Sequence, residues 1–121
     1  MTGHGRKVSV LGVPTSAGSH NPGQDKAPAG QARQARAYLE RRVDDYLVHF
    51  DVDVLNTGLF PLANFPHFAG LTLDEVSAAL NEFARGEKFG GLVVTEVNPD
   101  HDPGGQLLAA LVRTVAGALA A

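Results

Sequence analysis

A chain of 121 residues with 44% apolar and 19% charged side chains has the size and balance of one soluble globular domain. Its formal net charge of -3, with basic residues scattered except over residues 33–42, leaves no electrostatic footprint for nucleic acid. The absence of cysteine excludes disulfides, thiolate zinc sites and cysteine nucleophiles, so any metal has to be held by oxygen and imidazole.

The first expected element is a strand over residues 7–14 (KVSVLGVP). It is short, β-branched and almost continuously apolar, the pattern of a parallel strand covered on both faces. Arg6 and Lys7 precede the apolar run of residues 8–13, which is shorter than the roughly 7–15 residues of a secretory h-region. The glycines of residues 12–18 (GVPTSAG) match neither phosphate-binding pattern. A helix follows over about residues 29–43, with a thin apolar face of Ala35, Tyr38 and Leu39 and a surface dominated by arginine. The second strand covers residues 46–55 (YLVHFDVDVL). After it, residues 56–70 (NTGLFPLANFPHFAG) form an irregular stretch long enough to imply function.

The clearest helix spans residues 73–85. Thr72 and Glu75 form a capping box, Leu71 and Val76 can close a hydrophobic staple, and Leu73, Val76, Leu80 and Phe83 share one face before Gly86 ends it. A third strand is expected over residues 92–97 (LVVTEV). The last helix takes Asp102 as N-cap and Pro103 at its first position, with one stripe of Leu107, Leu108, Leu111, Val112, Val115 and Leu119. It is well short of the roughly 20 apolar residues that span a bilayer, so no membrane contact and a cytoplasmic location are expected.

Alternating strands and helices predict an α/β fold with a short open parallel sheet of about three strands, right-handed crossovers and ligands at the strands' carboxyl ends. The outer two strands would be bare edges, which points to a homo-oligomer.

Asp51 and Asp53 carry the main chemical signal. Two apart on a strand, they would share a face roughly 6–7 Å apart. Two charged carboxylates after Tyr46-Leu47-Val48 need compensation. A divalent cation supplies it, and oxygen ligands suit manganese, magnesium or calcium. The alternative is that both simply cap the next turn in water. His49 would lie about 13 Å from Asp53 on an extended strand, so a packed, hydrogen-bonded histidine is expected. Glu96 ends an apolar run and wants a cation, from a side chain or a substrate. Asp100 and His101 lie in the next loop, capping explains Asp102, and His67 is expected as a surface-loop histidine.

Three strings resemble one family. KVSVLGVPTSAG…PGQDKAPAG resembles the first strand and loop of the arginase-like ureohydrolases, which include arginase, agmatinase and formiminoglutamase. HFDVDVLNTGLFPLANFPHFAGLTLDE resembles that family's strand with an aspartate pair, its long loop and its Gly-Leu-Thr helix start. TEVNPDHDPGG resembles the strand end that carries its glutamate. The resemblance implies a three-layer αβα fold and a dinuclear manganese centre that hydrolyses a carbon–nitrogen bond in a guanidino or linear amidine substrate. By position it makes Asp51 and Asp53 metal ligands and Glu96 a substrate-binding residue.

The departures shape the expectation further. The family's Gly-Gly-Asp-His and Asp-Ala-His-x-Asp strings do not occur, and the chain passes from Gly30 through an Arg-rich helix straight to Tyr46. Residues 1–121 therefore read as a single domain lacking the family's central block, a partial ureohydrolase fold. Asn56 and Thr57 replace the usual Asp-Pro, and Asn64-Phe65 stand where small or hydroxyl residues are usual. No residue is assigned as catalytic, and weak or absent activity is expected. Two other readings stay open: a binding module that self-associates through its sheet edges, and a small flavodoxin-like ligand-binding domain.

Overall fold

The computed structural model describes residues 5–12, 27–58, 60–62 and 70–120. The expectations for residues 13–18, for Asn64 and Phe65 and for His67 lie outside the described residues. Strands and helices alternate as β1 (Val8–Gly12), α1 (Ala27–Glu40), β2 (Asp45–Asp51), α2 (Leu73–Ala84), β3 (Phe89–Thr95) and α3 (Gln106–Leu119). The three strands make one parallel sheet in the order β1-β2-β3, the expected α/β arrangement.

Two right-handed crossovers that step the same way across a sheet place their helices on the same face. Accordingly α2 packs between α1 and α3, and among the described residues the helices form one layer. The part of the αβα architecture present here is thus the sheet and one helical layer. Along β2, Tyr46, Val48 and Phe50 are buried, while Leu47, His49 and Asp51 keep partial exposure. Strand alternation explains this, because Tyr46, Val48 and Phe50 turn toward the helices and meet Val76, Leu80 and Phe83 of α2 in the core.

Helix α2 begins as its sequence dictates. Thr72 Oγ1 accepts from Glu75 N–H at 3.1 Å, and Glu75 Oε1 accepts from Thr72 N–H at 3.0 Å. Two of the helix's orphan donors and its entry angle are settled by these local bonds. Helix α1 buries Ala32 and Leu39, and its arginines serve a purpose that periodicity did not show. Glu82 of α2 is buried between the helices, 3.2 Å from Arg33, 3.6 Å from Arg36 and 3.6 Å from Arg85. The Arg33 hydrogen bond holds the Glu82 carboxyl below the usual carboxylate range against the opposing effect of burial, and the charges of Arg33, Arg36 and Arg85 add to it.

Several element bounds and one helix face differ from the sequence reading. Strand β3 starts at Phe89 and not at Leu92, because a bulge at Gly90 carries the pairing further back: Tyr46 pairs with Phe89 and Leu47 already with Gly91. Asp102 is not the N-cap of α3 and Pro103 is not its first residue: residues 102–105 close a turn (Gly105 N–H to Asp102 O, 3.0 Å), and the helix starts at Gln106 with Gly105, at φ 71°, as its N-cap. From upstream, Asp102 Oδ2 still accepts from Leu108 N–H at 2.8 Å. The apolar stripe of α3 is also narrower than expected. Leu111 and Ala118 are buried, whereas Val112 and Leu119, each one position or about 100° further round, face solvent. No helix among the described residues is long and apolar enough to cross a membrane.

Candidate functional site

Strand β2 stops earlier than its apolar run. At Asp51 the chain leaves the sheet and enters a 3-10 turn, Val52–Val54, whose valines are both buried. Asp51 Oδ1 accepts from Asp53 N–H at 2.8 Å and so caps that turn. The extended geometry expected of the aspartate pair is therefore corrected: the two do not alternate along a strand, and one oxygen of Asp51 is committed to Asp53's own backbone. Both side chains are partly exposed. Of the two alternatives that the sequence left open, capping is the one observed, and it is observed for Asp51.

The long loop is closed at its base. Asn56 N–H donates to Leu71 O and Leu71 N–H to Val54 O, each at 2.8 Å. Gly70 sits in this junction, where a Cβ would come within 2.6 Å of Leu55 C and Val54 O, so only glycine lets the two strands of loop pass. Phe60 and Leu62 are buried, anchoring the described part of the loop to the core. Leu62 O in turn accepts from Asn98 N–H at 2.9 Å, which ties this loop to the segment beyond β3.

Register then brings the two acidic strand ends together. Asp51 pairs with Thr95, the last residue of β3 and the immediate neighbour of Glu96. His49 Nε2 and Thr95 Oγ1 share a hydrogen bond of 2.7 Å on the face away from the helices. His49 is thus the hydrogen-bonded histidine that spacing predicted. Glu96 is exposed and has φ 68°, in the left-handed region, at a cost on the order of 1–3 kcal/mol for a side chain with a Cβ. That kink ends β3 and redirects the chain into the 3-10 turn Pro99–His101. Asn98 caps this turn, with Oδ1 accepting from Asp100 N–H at 3.1 Å and Nδ2 donating to His101 Nε2 at 3.3 Å.

Thr95 and Asn98 are the residues that sequence reasoning passed over. Nothing local in the sequence announces that Thr95 faces Asp51 and His49 across the sheet. Among the described residues no group of three or more His, Asp or Glu side chains could hold a metal ion. Asp51 and Asp53 are donors of the right chemistry for a hard cation, yet two carboxylates fall short of the roughly six oxygen ligands such an ion takes.

Comparison with known proteins points in one direction. The model of the arginase family matches residues 29–120, which include Asp51, Asp53 and Glu96. Formimidoylglutamase from Bacillus subtilis subsp. subtilis str. 168 superposes with a TM-score of 0.72 at 22% identity, over 80% of this chain and 30% of that one. Arginase from Bacillus caldovelox gives 0.68 at 26% identity, over 79% and 32%. Agmatine ureohydrolase of Thermoplasma volcanium gives 0.55 at 18%, over 74% and 30%. The chain spans about a third of the length of these solved structures. No curated protein matches it significantly.

Proposed function

Because this chain belongs to the arginase family, we propose that Asp51, Asp53 and Glu96 form one wall of a ureohydrolase site. Its inherited chemistry is manganese-dependent hydrolysis of a carbon–nitrogen bond in a guanidino or linear amidine substrate. The observation that carries this reading is the β2–β3 register, which sets Asp51 beside Thr95 and so brings the aspartate pair and Glu96 to neighbouring strand ends. In it, Asp51 and Asp53 are metal ligands, and Glu96 pairs with the cationic end of the substrate by a charge-assisted hydrogen bond. Among the described residues the donor type fits manganese and the donor number does not, so no hydrolytic step is assigned to them. We place it in the cytoplasm with weak manganese binding and little or no turnover.

Calorimetry with Mn²⁺ on the parent and on Asp51→Ala tests the reading. Weak binding heat in the parent and none in the variant is expected, with no urea or ammonia released from arginine, agmatine or formiminoglutamate. Undetectable heat in both proteins removes the metal assignment. Release of urea or ammonia refutes the argument from ligand number.

A second reading has an observation of its own. The sheet face away from the helices exposes Val8 and Val93 beside the partly exposed Leu47, and among the described residues β1 and β3 are the edges of the sheet. This face would join a second copy of the chain, making the protein a self-associating module.

A further inference from the structure

The acidic strand ends have a basic counterpart at the other end of the sheet. Where β1, β2 and β3 begin, Gly5, Lys7, Arg41, Arg42, Asp44 and Lys88, together with Val43, line an open cavity of about 490 Å³. Four of these residues are cationic and one is anionic, in a chain whose formal net charge is -3. The volume is within the roughly 300–1,000 Å³ of small-molecule sites. A lining so rich in cations suits an anion rather than an apolar ligand.

Three of the four cations are held in place. Lys88 Nζ donates to Glu40 O and, at 2.9 Å, to Val43 O, at the carbonyl end of α1. Arg41 Nε donates to Ala37 O at 3.2 Å. Arg42 donates to Tyr38 O at 3.0 Å and lies over the Tyr38 ring, 3.6 Å from its centroid. Helix capping accounts for one donor of each guanidinium, which carries five, and for two of the three on Lys88. The fourth cation, Lys7, has an exposed side chain that makes no hydrogen bond to a described residue. Its backbone N–H occupies Asp44 Oδ2 at 2.7 Å, so the one carboxylate in the lining is engaged with the main chain.

We propose that this cavity binds a small polyanion, a molecule with two or more adjacent phosphate or carboxylate groups, independently of the strand-end site. The anchored guanidinium groups and ammonium offer it charge-assisted hydrogen bonds with little side-chain ordering left to lose. Capping alone explains why these cations touch α1, but not why Lys7, which leads into the neighbouring strand β1, lines the same space.

Titration calorimetry of the full chain with inorganic pyrophosphate, and separately with citrate, tests the assignment. Saturable one-to-one binding is expected. Lys7→Gln, which removes no structural contact, should weaken it about tenfold, the value of a hydrogen bond to a charged group. The Arg41→Gln, Arg42→Gln double variant should weaken it further, while Arg113→Gln on α3 leaves it unchanged. Preference for pyrophosphate identifies phosphoryl compounds as the class, and preference for citrate identifies polycarboxylates. Absence of saturable binding to either anion overturns the proposal, as does an affinity unchanged by both the Lys7 and the Arg41/Arg42 substitutions.

Discussion

On β2, Tyr46, Val48 and Phe50 turn toward the helices and are buried, whereas Leu47, His49 and Asp51, each one residue away, turn to the opposite face and stay partly exposed. The first set touches α2 and gives the molecule its core. The second set holds the His49–Thr95 hydrogen bond and the acidic strand end. The core and the candidate site therefore lie on two faces of one strand, so substitutions on either face should have separable effects.

The largest separation is expected between Phe50→Ala and His49→Ala. Removing the buried ring leaves a cavity under α2 and should cost about 3–5 kcal/mol. Removing the imidazole loses one partly exposed hydrogen bond, worth about 1 kcal/mol. Urea unfolding of both variants measures the difference; equal losses would mean that the open face is as structural as the helical one.

The helical face should also set the pH limits of stability. Burial, with the Glu40 charge adding and Arg36 opposing, pushes the Tyr46 hydroxyl from 10.0 up to about 12. A raised folded value stabilises fully below the unfolded one and is lost as pH climbs through the folded one. Stability should thus fall between pH 10 and about 12, by up to about 3 kcal/mol, and Tyr46→Phe should flatten that limb. Glu82 acts at the other end with opposite sign. Its lowered carboxyl stabilises above the ordinary carboxylate value, and the gain is lost as pH falls through the folded value. Chemical unfolding across pH checks both limbs, and Glu82→Gln should remove the acid one.

Features set by adjacent residues were legible in the sequence. The Thr72–Glu75 capping box, the strand–helix alternation and the identity of the acidic strand end all rest on short patterns. What escaped depends on distant partners. The Glu82 clamp needs Arg33 and Arg36 from another helix, and the residues facing Asp51 are set by β-sheet register. A strand period also could not foresee that Asp51 would cap a 3-10 turn, because burying Val52 and Val54 together takes precedence over alternation there. Gly90 and Gly91 hid the start of β3 because a bulge and a turn use the same residue.

The smallest expected change in stability is the sharpest probe of the second face. Val93 lies on the edge strand β3, opposite His49 in register, and is 49% exposed. Val93→Lys buries nothing new and should move the urea midpoint by no more than about 0.5 kcal/mol equivalent. If a second copy covers this face, the parent sediments faster than a monomer at micromolar concentration. The lysine then returns it to the monomer, because a charge on an edge strand disfavours pairing. A parent that is already monomeric removes the self-association reading. A large loss of stability in Val93→Lys with no change in sedimentation would instead show that the open face supports the fold of the single chain, and the division between the two faces of β2 would not hold.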